Sequence, residues 1–504
     1  QARAQYGDQL QLRLRARVQK PCRQLVVSYH IKNKQNQNVT GGHTACDPAL
    51  YSRDWQPGDV FDVAFDIPVQ LHAGDYALTV LIASIGDTQH YSDVVFHDWQ
   101  DNLATLNVVP RQNFPLSDMV EPPQHSTVVA QAPWVIIDDF FPHLLTGFRV
   151  AEYNAHLQAF EQLQIMSTLG DFIDHYKNYQ ALYPQHAARV SSYQPDRLAG
   201  VQLAYITFLN NAHAYLDDLV LHGVPFVLNL YPGGGLGLGD ADSDRKLLRV
   251  LKSPLLKDII VTQPVVERYL TALAKTHGLA LPPMHLVQGV VVNPDYFDPD
   301  LTRHGPRYGQ GKDKLDICFV AESYMPGAAN KGFPEFMAAM QRLADLDSLR
   351  IHVVGGGYSS ADFDVPGLGQ KIQYHGRLPT AQLRAFYGQM DLIISPNRPG
   401  QLHAGNFDGF PTGACVEAAL CEVAIMATDA MAQNPGYTDQ QSIFLLDRQG
   451  QALPEQIESL VRHLLAHPVQ LSQVASECQR LTRTLYAPER QITTRQDILR
   501  KAAT

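Results

Sequence analysis

The sequence has no apolar segment long enough to cross a lipid bilayer. None of its apolar runs approaches the roughly 18–20 residues that a membrane-spanning helix needs. The N-terminal stretch, residues 1–18, also lacks the apolar core of a signal peptide. We therefore expect a cytoplasmic protein. Because the chain begins with Gln rather than Met, we also expect a fragment or a processed chain, with an upstream region missing.

Cysteine is scarce, and basic residues are not in excess. The six cysteines are scattered without a CxxC pair, which favours reduced structural thiols, and the 20 histidines form no HExxH motif. We therefore predict no metal site and no cofactor. The net charge is −10, with 40 Lys and Arg against 50 Asp and Glu. Nucleic-acid-binding domains normally present a basic patch, so we predict no nucleic-acid partner.

Residues 1–109 show the pattern of an antiparallel β-sandwich. Short alternating stretches recur between turn signals such as QPGD and HAGD. The predicted strands are 10–18, 24–31, 60–67, 75–82 and 104–109. Residues 110–132 follow with four prolines and no periodicity, which is typical of a linker.

From Trp134 onward, strands and helices alternate. In a first half, residues 133–309, the predicted strands are 134–140, 204–209, 225–231, 258–262 and 286–292. A second half, residues 310–504, has the apolar stretches LDICFVAE, RIHVVGGG, KIQYHG, DLIISP, VAIMATD and SIFLLD. This order predicts two doubly wound, Rossmann-like α/β domains. Ligands bind at the carboxyl ends of such strands, so we expect a site in the cleft between the halves.

The stretch FDGFPTGACVE, residues 407–417, is the most informative part of the chain. An acid, Asp408, is its second residue, and the stretch ends on a predicted helix with a second acid, Glu417. Between them lies a turn formed by Gly409, Phe410, Pro411, Thr412 and Gly413. Helix N-termini bind anions, so the turn can hold a phosphate while Glu417 receives a sugar hydroxyl. The alternative is an ordinary βα turn with a solvated glutamate.

A glycine-rich segment in the first half is a second candidate. Residues 231–244, YPGGGLGLGDADSD, lack the Gly-Lys-Ser/Thr of a Walker loop, and the GxGxxG pattern is broken at Asp240. We interpret the segment as a flexible cleft wall whose backbone approaches a substrate at Gly233, Gly234 and Gly235. A mobile surface loop without function is the alternative.

Further candidates follow predicted strands. Lys331 lies beyond the strand 315–322 at the start of a helix, where it can neutralise a departing diphosphate. Arg377 and Asn397 follow two later strands. In the first half, strand ends and the segments after them supply Asp138, Asp139, His143, Asn210, Asn211 and His213. Of these, Asp138 is our candidate for a substrate contact, together with Asn397.

Residues 134–490 resemble the retaining glycosyltransferases of family four, which have the GT-B fold of two facing Rossmann-like domains. FDGFPTGACVE is similar to the donor-binding signature of that family, and Lys331 matches the lysine of its KG element. The resemblance implies that Glu417 holds the ribose of a nucleotide-sugar and that Asp408 and its loop face the donor sugar and phosphates. It also implies that the last helices cross back to the first half.

The chain departs from the family pattern at two places. Many members carry an arginine where this chain has Glu322. A second basic residue for the donor phosphates, besides Lys331, is therefore missing from its usual place. The two acids are eight positions apart in many members, whereas Asp408 and Glu417 are nine apart, with Gly409 at the eighth. These departures leave open a glycan-binding or regulatory protein with vestigial transferase domains. A sugar-nucleotide epimerase is a third hypothesis.

The strand order of residues 1–109 resembles the carbohydrate-binding domain at the C-terminus of ATP-driven O-antigen exporters. The resemblance implies a module that grips a lipid-linked polysaccharide, whereas a dimerisation or structural module is the alternative. Candidate sugar-stacking aromatics are Tyr29, Tyr51, Trp55, Tyr91 and Trp99.

Together the resemblances predict a cytoplasmic retaining glycosyltransferase of lipopolysaccharide O-antigen or capsule biosynthesis. Its expected partners are a nucleotide-sugar donor and a polysaccharide or lipid-linked glycan acceptor. Such an enzyme requires no protein nucleophile, because the departing phosphate helps to deprotonate the acceptor on the same face. Catalysis then rests on positioning and charge stabilisation. We also consider a homodimer and peripheral association with the inner membrane or with other assembly enzymes.

Overall fold

The computed structural model describes residues 2–45, 47–87, 92–109, 125–128, 133–302, 305–358, 367–446 and 450–503. The chain divides into two compact units, Gln1–Ala132 and Pro133–Thr504. The first unit is built mainly of β-strands, and the second consists of parallel sheets with helices between their strands.

Two β-sheets form the first unit. Its elements are β1 (Ala2–Gln5), β2 (Gln9–Arg17), β3 (Leu25–Lys32), β4 (Asn38–His43), α1 (Pro48–Tyr51), β5 (Val60–Pro68), β6 (Gly74–Asp87), β7 (Ser92–Val109) and β8 (His125–Val128). One sheet has the order β1-β7-β6-β3-β4 and is antiparallel except for the β1–β7 pair. The other sheet has the antiparallel order β2-β5-β8.

Side chains from both sheets meet in one core. Alternation along the strands sends Val27 and Tyr29 of β3 and Val63 and Phe65 of β5 into this core, where all four are buried. The Tyr29 and Phe65 rings meet edge-on, with 4.9 Å between their centroids. Two sheets around a shared apolar core are the arrangement that the sandwich prediction requires.

Parts of this unit differ from the sequence prediction. Strand β4 was not predicted because its glycines are weak strand formers. Gly41 is nevertheless required there, since a Cβ would lie 2.5 Å from the carbonyl oxygen of Tyr29. The predicted linker 110–132 contains β8, which pairs with β5, and the rest of that segment lies outside the described residues.

The first half of the second unit contains a seven-stranded parallel sheet, in the order β11-β10-β9-β12-β13-β14-β15. Its elements are β9 (Trp134–Asp138), α2 (Gly147–Ala159), β10 (Leu163–Ser167), α3 (Phe172–Leu182), α4 (Pro184–Ala187), β11 (Val190–Ser192), β12 (Leu203–Thr207), α5 (Leu209–Ala214), α6 (Leu216–His222), β13 (Phe226–Leu230), α7 (Ala241–Leu251), β14 (Leu256–Val261), α8 (Pro264–Thr276) and β15 (Met284–Leu286). Strands β10 and β11 were not predicted, because they are short and interrupted by polar residues. The predicted strand 286–292 is wrong, since β15 ends at Leu286.

The second half contains a six-stranded parallel sheet, in the order β20-β19-β18-β21-β22-β23. Its elements, after α9 (Pro299–Thr302) and the short pair β16 (Arg307–Tyr308) and β17 (Gly311–Lys312), are β18 (Leu315–Val320), α10 (Phe333–Arg342), β19 (Leu349–Val354), β20 (Ile372–Tyr374), α11 (Thr380–Tyr387), β21 (Leu392–Ser395), α12 (Gly413–Leu420), β22 (Ala424–Ala427), β23 (Phe444–Leu445), α13 (Leu453–Ala466), α14 (Pro468–Leu485) and α15 (Thr494–Ala502). The prediction of parallel α/β halves is confirmed. Among the described residues, no helix has the length and apolar character needed to cross a membrane.

Both parallel sheets reverse their strand order beside a central strand. The reversal falls between β9 and β12 in the first half and between β18 and β21 in the second. Ligands of doubly wound sheets bind outside the carboxyl ends of the strands at these switch points. The loops that follow these four strands are therefore where a site is expected.

The C-terminal helix α15 packs on the first half. Its Ile498 and Leu499 are buried in the core that contains Trp134 and Phe160. Arg495, also on α15, is fully buried, and its Nε atom lies 3.6 Å from Glu152 Oε1 on α2. A buried charge pair thus fastens the end of the chain to the first sheet.

Glu152 is held in its ionised form. The Tyr205 hydroxyl donates a hydrogen bond to Glu152, and the Tyr231 hydroxyl donates another at 2.7 Å. Burial alone would raise the pKa of Glu152, but the charge of Arg495 and the contacts with His156 and Tyr205 lower it to about 2. Removing the cation would therefore leave a buried charge without compensation.

We expect Arg495→Met to destabilise the fold by about 3–5 kcal/mol, because it leaves Glu152 buried without its cation. The double variant Glu152→Gln/Arg495→Met should lose less, since both charges are gone. Arg480→Ala is the control: its partner Glu477 is three residues away in an exposed pair, and such changes cost within about 0.5 kcal/mol. Urea unfolding measures all three, and an Arg495→Met loss no larger than that of Arg480→Ala would contradict the expectation.

Candidate functional site

An ion pair joins the two loops at the switch point of the second half. Lys331 ends a 3₁₀ turn after β18, and its Nζ atom lies 2.6 Å from Oδ1 of Asp408, in the loop between β21 and α12. The following Gly332 has a φ of 71°, and a Cβ there would lie 1.9 Å from the carbonyl oxygen of Pro396. Close packing of the loops therefore requires glycine after Lys331.

Helix α12 begins beside this ion pair. Its N-cap is Thr412, whose side chain accepts a hydrogen bond from the backbone N–H of Cys415 at 3.4 Å. Gly413 is the first helical residue, so the unpaired N–H groups of the helix start lie at the end of the candidate turn. This end of the helix favours negative charge.

Glu417 lies one turn into α12, at the boundary between the halves. Its carboxylate accepts a hydrogen bond from the Tyr296 hydroxyl at 3.5 Å, and burial raises the pKa of Glu417 to about 7. Gly147, the first residue of α2, lies opposite, since a Cβ there would be 3.8 Å from Glu417 Oε1. The carboxylate thus faces the first half and titrates near neutral pH.

The glycine-rich loop of the first half is a packed wall. Gly234 and Gly235 have positive φ, and a Cβ would lie 2.4 Å from the Phe208 side chain or 2.0 Å from Asn210 Oδ1, respectively. Further along, the N–H of Leu238 donates to the carbonyl oxygen of Gly405 in the second half at 2.9 Å. Packing within the protein accounts for these two glycines, whereas Gly233 adjoins open space.

The turn before α12 also touches the first half. A Cβ on Gly409 would lie 2.9 Å from Nε2 of Gln263, a buried residue that the sequence analysis did not select. A concave space of about 370 Å³ adjoins the turn, and its lining includes Asn397, Asp408, Gly409, Phe410 and Thr412. Pro411 is buried. The structure thus brings Asn397 and most of the candidate turn around one space.

Asp138 is buried and occupied by groups of the protein. It accepts hydrogen bonds from two backbone N–H groups of the following loop, from Arg149 at 2.6 Å and from the Tyr153 hydroxyl at 2.7 Å. Its neighbour Asp139 is half exposed and also holds Arg149, at 2.8 Å. Asp138 therefore shapes the loop after β9, and the accessible carboxylate is that of Asp139.

The remaining first-half candidates do not form one cluster. Asn211 donates to Asp139 at 3.1 Å, whereas Asn210 and His213 contact Lys246 and Arg249 of α7. The His143 ring stacks on the His175 ring, with 3.9 Å between centroids. Desolvation and His175 lower the pKa of His143.

Two residues after β18 occupy notable positions. Glu322 pairs with Arg377, whose Nη2 atom lies 3.0 Å from Glu322 Oε2. Tyr324 is largely exposed, and Lys331 Nζ lies 5.5 Å from the centre of its ring. Tyr324 was not predicted, although its place just beyond a buried strand was the available signal.

The candidate aromatics of the first unit separate by burial. Tyr29 and Trp55 are core residues, and Tyr51 is partly buried, with its hydroxyl donating to the carbonyl oxygen of Ile85 at 2.9 Å. Tyr91 lies outside the described residues. Trp99 is 53% exposed.

Trp99 has an aromatic neighbour on the same strand. The Phe96 ring lies 5.4 Å from that of Trp99 and is 56% exposed. Phe96 was not among the predicted sugar-stacking aromatics. An exposed pair of aromatic rings is a surface on which the apolar face of a sugar can stack.

In the part of the chain that the structure describes, no three His, Cys, Asp or Glu side chains are grouped as metal ligands. Of the described cysteines, Cys22, Cys318, Cys415 and Cys478 have free thiols. One HxxxH spacing, formed by His463 and His467, was overlooked in the prediction of no metal site. Their rings stack at 4.1 Å, and His467 Nδ1 is hydrogen-bonded to the carbonyl oxygen of His463.

Two protein-family models match the chain. Residues 1–119 match the Wzt C-terminal domain, and residues 335–497 match a glycosyl transferase-like family. The second match includes Asp408 and Glu417 but begins after Lys331. No curated protein sequence matches the chain.

Solved structures with a similar fold cover about three quarters of the chain. HepE from Anabaena, in complex with UDP and glucose, has a TM-score of 0.53 at 13% identity, covering 73% of this chain and 100% of its own. A glycosyltransferase from Rickettsia africae has a TM-score of 0.52 at 13% identity, covering 74% and 99%. Sucrose-phosphate synthase from Thermosynechococcus elongatus has a TM-score of 0.51 at 12% identity, covering 73% and 98%.

The family matches confirm the resemblance that the sequence indicated for both ends of the chain, and the similar structures show the fold. The chain therefore joins a Wzt C-terminal domain at its N-terminus to a glycosyltransferase domain of the GT-B fold.

Proposed function

We propose that this protein is a retaining glycosyltransferase that moves a sugar from a nucleotide-sugar to a bacterial surface polysaccharide, such as O-antigen. The observation that carries the proposal is the Lys331–Asp408 ion pair at the switch point, next to the start of α12. This arrangement offers a cation and helix N–H groups to a diphosphate. The UDP bound in HepE supports a nucleotide-sugar as donor.

Each polar group at the site has a proposed role. Lys331 neutralises the charge that grows on the diphosphate, and Asp408 holds its ammonium group in place. Glu417 accepts hydrogen bonds from the ribose hydroxyls. The acceptor hydroxyl attacks the sugar C1 on the face that the diphosphate leaves, so the C1–O bond to phosphate breaks as the new bond forms. The acceptor proton passes to the departing phosphate, and no protein nucleophile is used.

The Wzt C-terminal domain supports a glycan acceptor. We propose that the Phe96–Trp99 pair stacks on sugar rings of a long or lipid-linked polysaccharide. Holding the polymer in this way raises its effective concentration at the transferase domain. The enzyme would then act in the cytoplasm, at the inner membrane where a lipid-linked acceptor is accessible.

One observation favours a second candidate function. Glu322 places a negative charge beside the candidate phosphate site, which disfavours an anionic donor. A non-catalytic glycan-binding or regulatory protein would tolerate this charge. Nucleotide binding separates the two functions, because the non-catalytic protein should bind no nucleotide-sugar.

The proposal predicts transfer from at least one member of a panel of nucleotide-sugars to a synthetic or lipid-linked acceptor. Glu417→Ala should weaken donor binding about ten- to a hundred-fold, because a hydrogen bond to a charged group contributes about 1.5–3 kcal/mol. Lys331→Ala should mainly lower turnover, since the leaving-group charge grows in the transition state. Lys177→Ala, in an exposed pair with Asp174, is the control and should change neither.

Calorimetry and product analysis check these expectations. An intact protein that binds no donor would favour the non-catalytic candidate, and release of a free epimerised sugar would favour an epimerase. If Lys331→Ala and Glu417→Ala both keep the kinetics of the control, the donor site lies elsewhere.

The ionisation of Glu417 predicts a pH dependence. Its pKa is raised to about 7, so the carboxylate that accepts the ribose hydrogen bonds forms as the pH rises through 7. Affinity for UDP-glucose, whose diphosphate does not titrate in this range, should therefore increase between pH 6 and pH 8. Calorimetry on Glu417→Gln should give a flat profile, and an equal slope in both proteins would contradict the assignment.

The aromatic pair predicts a dependence on acceptor length. Phe96→Ala/Trp99→Ala should lower transfer to long polysaccharide but leave transfer to a short acceptor unchanged, because only the polymer gains from tethering. Deleting residues 1–132 should have the same effect and leave nucleotide binding intact. Val60→Ala, at another exposed apolar residue of the unit, is the control. Equal activity of all variants on both acceptors would refute the role and favour dimerisation or bracing.

A further inference from the structure

Glu322 and Arg377 form a two-point ion pair at the carboxyl ends of the second sheet. Nε and Nη2 of Arg377 each lie 3.0 Å from Glu322 Oε2. The backbone N–H of Gly356 donates to Glu322 Oε1 at 3.1 Å. Glu322 lies in the loop after β18, Gly356 in the loop after β19 and Arg377 in the loop after β20. The loops of three neighbouring strands therefore meet at one carboxylate.

Gly356 leaves the room that the guanidinium occupies. A Cβ on Gly356 would lie 2.6 Å from Nε of Arg377, which is a severe overlap. Any other residue at position 356 would therefore displace the arginine. The loop after β19 is thus shaped to hold the Arg377 side chain against Glu322.

The pair lies at the cleft, near the other cation of the second half. The charges of Arg377 and Glu322 both affect the pKa of His143 in the first half, so the pair faces that half. Glu322 is also two residues before Tyr324, whose ring Lys331 approaches to 5.5 Å. The charges of Lys331 and Glu322 both affect the pKa of Tyr324. Lys331 and Glu322, the carboxylate that holds Arg377, therefore both lie near one exposed ring.

We propose that Arg377 is the second cation that binds the donor diphosphate, and that Glu322 is the positioning residue that holds it. This inference rests on the proposed function. A guanidinium has five N–H donors, so it can remain bonded to Glu322 and still donate to phosphate oxygens. The arginine side chain is 56% exposed, which leaves it accessible to a ligand. Arg377 thus supplies from the loop after β20 the positive charge that position 322 lacks.

The test compares diphosphates with nucleosides, because only a phosphate contact separates them. UDP, GDP, uridine and guanosine are titrated by calorimetry into the full chain and its variants. Arg377→Ala should weaken binding of the preferred diphosphate about ten- to a hundred-fold and leave the nucleoside unchanged. Arg462→Ala is the matched control, since Arg462 is also held by carboxylates in the second half, those of Asp345 and Glu458.

A rescue variant tests whether the charge itself is needed. Removing the Arg377 side chain empties the space beside Gly356, so Glu322→Arg/Arg377→Ala returns a guanidinium to nearly the same place. This double variant should recover most of the lost diphosphate affinity. Thermal melts of all variants show whether the fold is retained.

Each outcome decides the inference. If Lys331→Ala weakens diphosphate binding while Arg377→Ala does not, the inference fails and the proposed function stands. Equal weakening of diphosphate and nucleoside by Arg377→Ala, or no rescue in the folded double variant, would mean that Arg377 only braces the loops. If the wild-type chain binds no diphosphate, the proposed function fails and the inference fails with it.

Discussion

The buried contact between Arg495 and Glu152 fixes how the end of the chain meets the first half, and the cleft depends on it. Helix α15 follows the second half in sequence but packs on the first sheet, so the chain crosses between the halves twice. A fully buried ion pair specifies this return more strictly than apolar packing alone would, because a misplaced helix would leave both charges without a partner. The halves are thereby held so that their strand ends face the same space.

Close approach of backbones completes this arrangement. Gly405 has no room for a Cβ, which would lie 2.2 Å from the carbonyl oxygen of Leu238, and a Cβ on Gly409 would lie 2.9 Å from Nε2 of Gln263. The glycines of the candidate loops thus have a packing role between the halves. Glycine-rich loops at a cleft need not be mobile to matter, since their small size lets opposing loops approach a ligand together.

The sequence predicted strands better than it predicted contacts. Apolar runs such as β9 and β12 were found because burial on both faces of a parallel sheet gives an uninterrupted signal. Strand β10 is as long, but Gln164 interrupts its apolar run, β11 has only three residues, and β4 contains glycines that only its neighbours explain. Periodicity reports how one segment is buried but not which segments meet.

The same limit applies to the candidate site. Lys331 and Asp408 were selected separately, and the structure joins them in one ion pair. Asp138 looked accessible at a strand end, yet Arg149 and Tyr153 occupy it. Gln263 and Phe96 were missed because nothing in the sequence distinguishes them from ordinary polar or aromatic residues, whereas the place of Tyr324 just beyond a buried strand was an available signal. Their importance comes from position alone.

A common electrostatic feature links these residues. Lys331, Arg377 and Arg149 each lie against a carboxylate, so none of these three cations is held by bulk water alone. Such pairs fix the position of a charged side chain in advance, and an anionic ligand then meets groups that need little reordering. The carboxylates also limit the affinity for the anion, because each cation is already partly neutralised. In the proposed function, which requires release of a nucleoside diphosphate after every transfer, moderate affinity with fixed geometry favours turnover over retention of the product.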